Sequence, residues 1–548
     1  MPLQKNQVLT LRVERLSSDG SGVAHSPDGE TVFIPGAAPG DEARVRIVKD
    51  CKRYAFGILD EVLTPSPDRI PVDCAVAGPC GGCSLRHLDY AAELRAKQEN
   101  VADAFARIGG SDVPVLPIVG SPEVNRYRNK VQFPVGVDKN GKPCIGFYAG
   151  RTHRIVPCPD CRLQPGVLNE IGNALCAFFA EKGIQPYSEE TGKGLVRHIF
   201  LRRGAHSGQI MVCLVCTRAK LPYTEELCAR LKTQFAEITT ILLNVNAKNT
   251  NVILGAETHT LYGPGYIEDT LCGVPVQLGP LSFYQVNTLA AEQLYGIAAQ
   301  YAQLTPDDLL LDLYCGMGTI GLSMAAHCRE LVGVEIVPEA IESAKANAAR
   351  MGADVAAKSR FFCADAGQAA TQLAAEGLHP DVVMLDPPRK GCDEATLSAV
   401  VRMSPRRVVY VSCNPATAAR DAAWLEQNGY HAEKVQPVDL FPRTRHCEAV
   451  LLLTKLHVER HIEVDVSMDE LDVTAAESKA TYHEIREHVW EHHQLKVSNL
   501  YIAQVKQKYG IIERKNYHKA KSENAKQPKC PKEKEDAIVE ALRHFQMI

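Results

Sequence analysis

Short runs of alternating apolar and polar residues fill the first part of the chain. In residues 6–63 the segments are VLTLRVERL, then SSDGSGVAHSPDGETVFIPGAAPGDEARVRIV, then YAFGILDEVL, with turns rich in Gly, Pro and Asp between the apolar runs. Regularly spaced short strands of this kind favour a small β-barrel. The next segment, TPSPDRIP, has three prolines in eight residues and predicts a linker.

The pattern changes twice further along the chain. Residues 96–284 mix helical patches with strands, and HIFLRRG (198–204) and GQIMVCLVC (208–216) flank a turn, which predicts a hairpin. From about residue 290 to 456, strands alternate with helices, as in LLLDLYCGMGTIGLSMAA and RRVVYVSCNPATAARDAAWLEQNG. This alternation is typical of a doubly wound parallel sheet.

The last part of the chain differs again. Residues 457–478 are acidic with few large apolar residues, which predicts a linker, and YHEIREHVWEHH and LYIAQVKQKYG then regain helical periodicity. Residues 496–534 hold eleven Lys or Arg against three Glu, which indicates either a solvated surface or a contact with RNA. We therefore predict four regions, 1–63, 64–284, 285–456 and 457–548, in a multidomain α/β protein with a small helical tail.

Length, charge and cysteine usage narrow the class of protein. A chain of 548 residues exceeds the usual size of one core, and its formal net charge is only −4, so an RNA-binding surface must be a local patch. The start has no basic segment followed by an apolar run, and no stretch has the length of a membrane span. Nineteen scattered cysteines then indicate reduced thiols in a cytoplasmic protein without membrane partners.

A glycine loop opens the predicted parallel sheet. GMGTIG (316–321) follows a strand and begins a helix, and Glu335 lies 19 residues beyond the first glycine, as in nicotinamide-dependent enzymes. Asp312 and Asp365, near the ends of two strands, favour S-adenosylmethionine instead, although such acids also cap helices. The loop alone therefore leaves open an oxidoreductase and a methyltransferase.

A thiol and a carboxylate end two later strands. Asp386 is followed by two prolines that fix its backbone, and Cys413 in VVYVSCNP precedes a helix start at Pro415. A cysteine pKa near about 8.5 falls beside a helix N-terminus, which makes the thiolate available as a nucleophile. A buried structural thiol is the alternative.

Methylation of carbon 5 of uracil is a reaction that needs such a thiol. The neutral ring is too weak a nucleophile, and thiolate addition to carbon 6 activates carbon 5; a base must later remove the hydrogen from carbon 5. His446 and Glu448, two residues apart before an apolar strand, are the candidate bases.

These motifs together resemble one family, the TrmA/RumA class of RNA uracil-5-methyltransferases. The shared segments span residues 283–450 in the family's order: FYQVN, LDLYCGMG, VGVEIVPEAIESAKANA, LDPPRKG, VYVSCNP and DLFPRTRHCEAV. The resemblance implies Cys413 as nucleophile and Glu448 as base. It also implies contacts with the donor or target from Gln285, Tyr314, Glu335 and Asp386, and on weaker matches from Thr319 and Asp365.

A cluster of cysteines lies upstream of that core. Cys74, Cys80 and Cys83 are spaced C-x5-C-G-G-C, and CPDC adds Cys158 and Cys161. From spacing alone, a zinc site and an iron-sulfur site are equally supported. The resemblance implies a [4Fe-4S] cluster on Cys74, Cys80, Cys83 and Cys161, as in the enzymes of this class that act on ribosomal RNA, and an OB-like TRAM barrel at residues 6–63.

The expected partner is RNA. The segment Arg126-Tyr127-Arg128-Asn129-Lys130 interleaves charge with an aromatic, and Arg202 and Arg203 add charge beside the predicted hairpin. The leading hypothesis is a monomeric enzyme that methylates carbon 5 of uridine in 23S rRNA with S-adenosylmethionine. The alternatives are a tRNA uracil-5-methyltransferase, a nicotinamide and iron-sulfur oxidoreductase, and an RNA-binding protein without catalysis.

Overall fold

The structure is a computed structural model that describes residues 3–150, 152–248, 250–456, 482–509, 530–545 and 547–548. The chain divides into two compact units, Met1–His457 and Val458–Ile548. The predicted acidic linker at 457–478 and part of the basic stretch at 496–534 lie outside the described residues. The predicted boundaries at residues 63 and 284 fall inside the first unit and stay predictions.

The first part of the chain is a closed five-stranded barrel, so the predicted barrel is confirmed. Alternate side chains of its strands fill one core around Val13, Ile34, Val45 and Ile47, as the period of two predicts. Its strands are β1 (Val8–Leu16), β2 (Ser21–His25), β3 (Thr31–Pro35), β4 (Glu42–Asp50) and β5 (Tyr54–Thr64).

The central region is a seven-stranded mixed sheet with helices packed against it, in the order β12-β11-β10-β9-β6-β7-β8. β9 and β10 are antiparallel, with Arg203 opposite Ile210, which confirms the predicted hairpin. A small pair, β13 and β14, leads to the next region. The elements are α1 (Ala77–Cys80), α2 (Tyr90–Ala104), β6 (Lys130–Val137), β7 (Pro143–Tyr148), β8 (Ile155–Pro157), α3 (Gly166–Lys182), β9 (Val196–Arg203), β10 (Ile210–Cys216), α4 (Thr224–Gln234), β11 (Ile238–Val245), β12 (Glu257–Tyr262), β13 (Ile267–Leu271) and β14 (Val274–Leu278).

The third region is a seven-stranded sheet in the order β17-β16-β15-β18-β19-β21-β20. The predicted doubly wound sheet is confirmed, except that β21 runs antiparallel to both of its neighbours. Its elements are α5 (Thr288–Ala302), β15 (Leu309–Leu313), α6 (Thr319–Met324), β16 (Glu330–Glu335), α7 (Pro338–Arg350), α8 (Ala353–Lys358), β17 (Ser359–Cys363), α9 (Ala366–Ala375), β18 (Val382–Leu385), α10 (Glu394–Met403), β19 (Arg407–Ser412), α11 (Pro415–Gln427), β20 (Tyr430–Val438) and β21 (Glu448–Lys455).

Both faces of this sheet are buried. On β19, Val409 and Val411 belong to one apolar core, while Val408 and Tyr410 belong to the core on the opposite face. Continuous apolar strands are the expected result when helices cover both faces. The strand order reverses between β15 and β18, and ligands of such sheets bind at the carboxyl ends of strands around that point.

The second compact unit is helical in its described part, as the periodicity of the tail predicts. It contains α12 (Tyr482–His493), α13 (Asn499–Lys508) and α14 (Lys532–His544). These helices share a core of their own around Ile485, Val489, Ile502, Ile538 and Leu542. Across the described ranges of both units, every helix is too short or too polar to cross a membrane.

Candidate active site

Cys413 lies in the turn between β19 and α11. Asn414 caps α11 by accepting a hydrogen bond from the Ala416 amide at 3.2 Å, and Pro415 takes the first position of the helix, where its missing N–H costs nothing. The Ser412 hydroxyl donates to the Asn414 carbonyl at 3.0 Å and tightens the turn. The partly exposed thiol is therefore held at the beginning of a helix, as the sequence predicts.

Glu448 faces Cys413 across two neighbouring strands. β19 and β21 pair with Ser412 opposite Ala449, so one further step in the register sets Cys413 opposite Glu448. Glu448 is 6% exposed, and burial together with the charge of Asp386 raises its pKa to about 8. A carboxyl group whose pKa lies near neutral pH can take up and release a proton in that range, as a general base must.

Asp386 and Arg389 complete the charged surroundings of the thiol. Asp386 directly follows β18, the strand on the other side of β19, and desolvation raises its pKa to about 7. Burial and the charge of Glu448 raise the pKa of Cys413, and the nearby Arg389 guanidinium opposes them only in part, so the pKa is raised overall and not lowered as the helix start predicts. Arg389 stands inside the LDPPRKG motif, but sequence reasoning assigned it no role.

His446 is the weaker of the two candidate bases. Desolvation and the neighbouring cations lower its pKa to about 4. Its ring packs edge-on against Phe441, with the centroids 6.1 Å apart. His446 lies two residues before β21 begins, so it is outside the strand register that brings Glu448 to the thiol.

The loop 439–447 carries His446 and leads into β21 at Glu448. Helix α2 holds this loop in place. Lys97 of α2 is 1% exposed and donates to the carboxylates of Glu93 at 2.7 Å and Asp439 at 2.8 Å and to the Phe441 carbonyl at 3.2 Å. The Arg443 amide donates to Glu93 at 2.7 Å. This buried network joins the loop to a helix more than 300 residues earlier, and sequence reasoning missed it.

A cavity of about 580 Å³ opens beside the thiol. The barrel, helix α2 and the sheet each contribute a wall, and four arginines against two aspartates give the lining an excess of positive charge. Such a surface suits a polyanion. The charged and titratable residues in this lining are Arg15, Asp19, Lys97, Asp103, Arg107, Arg389, Cys413, Arg445 and His446.

The glycine loop lies at the carboxyl end of β15, supported from below by Asp312. Asp312 is 1% exposed and accepts a hydrogen bond from the Gly321 amide at 3.0 Å, and burial raises its pKa to about 8. A Cβ added at Gly321 would come within 2.7 Å of the Asp312 carboxylate. Asp312 therefore holds the loop in place.

Five of the residues that are predicted to contact the methyl donor surround this loop. Gln285 lies before α5, where its carbonyl accepts from Asn129 at 2.7 Å, and Tyr314 has a φ of 66° directly after β15. The Thr319 hydroxyl lies 3.2 Å from the Tyr295 hydroxyl, and Glu335 accepts from the Gly316 amide at 3.2 Å. The fifth, Asp386, follows the adjacent strand β18.

Asp365 acts as a helix cap. It precedes α9, and one of its oxygens accepts from the amides of Gly367 at 3.1 Å and Gln368 at 3.2 Å. This is the structural alternative that strand-end acids allow. A contact of Asp365 with the adenine of the donor stays a prediction.

The predicted cluster cysteines share one neighbourhood. Burial raises the pKa values of Cys80 and Cys83, and the charge of Cys161 adds to both shifts. The Cys158 thiol donates to Cys161 and lowers the pKa of the latter. Within the described residues, no group of three or more His, Cys, Asp or Glu side chains has the arrangement of a metal site, so the cluster stays a prediction.

Two of the predicted RNA contacts are wrong, because their side chains are buried. Tyr127 is 5% exposed and its hydroxyl donates to the Pro442 carbonyl at 3.0 Å, so its ring cannot stack on a base. Arg202 is 1% exposed and donates to the carbonyls of Gly279 and Ser282, both at 2.7 Å. Both side chains donate to backbone carbonyls of distant segments and so hold the fold together. A mixture of basic and aromatic residues in the sequence does not distinguish this structural role from RNA binding.

Two domain families match the chain. The family described as tRNA (Uracil-5-)-methyltransferase matches residues 274–456, and the TRAM domain matches residues 2–59. The first range holds the thiol, the glycine loop and Glu448, and the second coincides with the barrel. Fold and site together define a methyltransferase that uses S-adenosylmethionine and carries an RNA-binding barrel.

Relatives and a solved structure agree with this class. An RNA methyltransferase of Halalkalibacterium halodurans is 43% identical over 453 residues, which cover 82% of this chain and 98% of the relative; one of Listeria innocua is 43% identical over 456 residues, with the same coverage. The tRNA (uracil-54, C5)-methyltransferase of Pyrococcus abyssi, solved with S-adenosyl-L-homocysteine, is 27% identical, covers 81% of this chain and all of its own, and has a TM-score of 0.65. The chain belongs to the RNA uracil-5-methyltransferase family.

Proposed function

We propose that this enzyme methylates carbon 5 of a uridine in 23S rRNA through a covalent bond between Cys413 and carbon 6 of the base. The observation that carries the proposal is the placement of Cys413, Glu448 and Asp386 at the ends of three adjacent strands, with the thiol and Arg389 lining a cavity of about 580 Å³. Neither of the other two hypotheses, an oxidoreductase or an RNA-binding protein without catalysis, explains why this thiol and this base lie together.

Arg389 and helix α11 prepare the thiol. Burial and the charge of Glu448 work against the thiolate, and the guanidinium of Arg389 opposes them by donating to the sulfur. The N-terminus of α11 adds a favourable dipole. Binding of RNA in the cavity brings the base against the sulfur, and a uracil in folded RNA must leave its stack to reach it.

The reaction then proceeds in balanced steps. The thiolate forms a bond to carbon 6 of the uracil, and the electron pair of the 5,6 double bond makes carbon 5 nucleophilic. S-adenosylmethionine, when bound, would supply the electrophilic methyl group: carbon 5 would receive it as the bond between the methyl group and the sulfonium sulfur breaks, and S-adenosylhomocysteine would leave. Glu448 takes the proton from carbon 5, the double bond re-forms, and the bond between carbon 6 and sulfur breaks.

The glycine loop and its neighbours fit the methyl donor. Gly316 has a φ of 56°, and a Cβ added there would meet no atom within 4 Å, so the backbone of the loop borders open space. The side chains that would hold the donor around this space are Gln285, Tyr314, Thr319, Glu335, Asp365 and Asp386. The protein's own hydrogen bonds fix two of these side chains, Thr319 and Glu335.

A [4Fe-4S] cluster on Cys74, Cys80, Cys83 and Cys161 is part of the proposal. Four soft thiolate donors suit iron-sulfur as well as zinc, and a cluster with four thiolates is anionic. Arg86, which is 2% exposed, donates through one guanidinium nitrogen to Asp73 at 2.7 Å and Asn125 at 3.0 Å, and it also interacts with the Cys83 thiol. A buried cation beside the cysteines fits an anion. Iron and sulfide analysis with a visible spectrum separates iron-sulfur from zinc.

A tRNA substrate is the second candidate. The family description and the enzyme of Pyrococcus abyssi both name tRNA. The cysteine spacing favours ribosomal RNA through the resemblance to the cluster-containing enzymes. We include a cytoplasmic location and a monomeric state in the proposal.

Transfer of a labelled methyl group tests the function and separates the two substrates. Purified enzyme receives methyl-labelled S-adenosylmethionine with unmodified 23S rRNA or with unmodified tRNA. We expect label on the rRNA, located at 5-methyluridine, and none with Cys413→Ser. Label on tRNA alone supports the second candidate, and no label on either RNA refutes the proposed function.

A further inference from the structure

A second cavity, of about 430 Å³, lies along helix α11 next to the catalytic one. The catalytic cavity is lined by the first turn of α11, from Asn414 to Ala416, and the second cavity by its last turns, from Arg420 to Gln427. Ile108 lines both cavities and is 54% exposed. The two cavities therefore follow one another along a single helix and share one wall.

The shared wall is held firmly in place. Ile108 belongs to the π-helical turn Phe105–Gly109 that continues α2. A Cβ added at Gly109 would lie 3.2 Å from the Ala419 carbonyl of α11, so a larger residue there would shift the turn or the helix by a few tenths of an ångström. The position of Ile108 between the cavities is thus set by the packing of the two helices.

The chemistry of the second cavity suits an unstacked nucleobase. Ile108 and Leu397 line this cavity together with the half-buried indole of Trp424, and the Arg420 side chain, about half exposed at the edge, pairs there with Asp421. An accessible aromatic ring is a surface on which single-stranded RNA bases stack.

The acid in this cavity is already neutralised within the protein. Asp421 is 1% exposed and accepts hydrogen bonds from the Tyr410 hydroxyl at 2.6 Å, the Cys392 amide at 2.8 Å and the Arg420 guanidinium at 2.8 Å. Only Glu394 adds another carboxylate to the lining. The acid Asp421 therefore does not oppose the approach of a phosphate backbone.

The spacing along α11 matches a short stretch of RNA. Trp424 lies nine residues after Pro415, which is about 14 Å along the helix axis. Stacked nucleotides advance about 3.4 Å per step along a strand, so this distance spans at most about four steps. A strand that places its uridine at Cys413 can therefore bring a near neighbour to Trp424.

We propose that the second cavity binds a base of the RNA strand that flanks the target uridine, stacked on Trp424. This inference rests on the proposed function for the identity of the strand. It assigns Trp424 a role in binding and positioning RNA rather than in the bond-making steps.

Tryptophan fluorescence tests the stacking directly, because the chain has only two tryptophans. The full-length Trp490→Phe variant keeps Trp424 alone, and the matched Trp424→Phe variant keeps Trp490 alone. Each is titrated with single-stranded oligouridine and with an abasic sugar-phosphate strand of equal length. We expect oligouridine to quench the fluorescence of Trp424. The abasic strand should have little effect on Trp424, and oligouridine should have little effect on Trp490. Equal quenching by the abasic strand, or none by oligouridine, overturns the proposal.

Kinetics of methyl transfer give a second readout. Removal of a stacking ring costs about 1–3 kcal/mol per base, so Trp424→Ala should raise KM for RNA about 5- to 150-fold. Trp424→Phe should restore most of this loss, and kcat should change little in both variants. An unchanged KM in Trp424→Ala, with melting behaviour like the wild type, also overturns the proposal. Quenching without any methyl transfer by the wild type would refute the proposed function alone.

Discussion

The pH dependence of stability reports the burial of Glu448 and can be measured without any substrate. Its pKa rises from the usual 4.5 to about 8 because the folded protein desolvates the carboxyl and sets it near Asp386. Between these two values the folded state binds more protons than the unfolded state, so stability falls as the pH rises. Glu448→Gln removes the charge and should remove this loss.

The size of the effect follows from the pKa change. A carboxyl that moves from 4.5 to about 8 costs the folded state about 3 kcal/mol at pH 7 but only about 1 kcal/mol at pH 5. Glu448→Gln should therefore gain about 2 kcal/mol more at pH 7 than at pH 5. The 6% exposure of Glu448 means that solvent screens little of this cost.

Urea unfolding at the two pH values measures the gain. Glu342→Gln is the matched control, because that carboxylate is 73% exposed on α7 and its replacement removes a charge without removing a buried carboxyl. If Glu448→Gln shows the same difference from the wild type at pH 5 and pH 7, the carboxyl is not desolvated as described. The stated cause of its basicity would then be wrong.

Three further variants test the supports of the site. Lys97→Met removes the cation that the buried Glu93 and Asp439 share, with only Arg443 left 3.6 Å from Glu93, and should destabilise the protein by about 3–5 kcal/mol in urea unfolding; Lys345→Met on the surface should cost less than about 1 kcal/mol, and equal losses would contradict the network. Arg389→Ala should raise the pKa of Cys413 further and move the rising limb of the pH–rate profile to higher pH, whereas the exposed Arg402→Ala should leave it in place; an unmoved limb in Arg389→Ala argues against this contact. Gly321→Ala should push against Asp312 and cost about 1–3 kcal/mol by thermal unfolding, unlike Gly296→Ala, where the new methyl meets no atom within 4 Å; equal melting of both would refute the support under the loop.

Local patterns predict the strand ends well. Cys413, Asp386 and the glycine loop all follow apolar strands, and parallel strands present their carboxyl ends at one edge of a sheet. The antiparallel entry of β21, which brings Glu448 to the thiol, is not local and was not predicted; the resemblance to a family selected Glu448 as the base without its strand direction. The sequence thus predicted which groups lie at the edge, while the register decides which of them meet.

Contacts distant in the chain explain what sequence reasoning missed. Lys97 lies 342 positions before Asp439, and nothing in its helix indicates that it is buried. Tyr127 and Arg202 were assigned to RNA because of their residue types, although both fill spaces between segments of the protein. Burial is a property of the packed molecule, so residue type alone cannot separate a buried arginine from a surface one.

Mass spectrometry of the Glu448→Gln variant tests the central claim most directly. The variant is incubated with S-adenosylmethionine and 23S rRNA from cells that lack the gene, then denatured and digested. Without the base, the proton on carbon 5 should stay and the bond between sulfur and carbon 6 should persist, so we expect a peptide containing Cys413 joined to a methylated uridine. Normal methyl transfer with no adduct, or an adduct on a different cysteine, would contradict the assignment of Cys413 and Glu448.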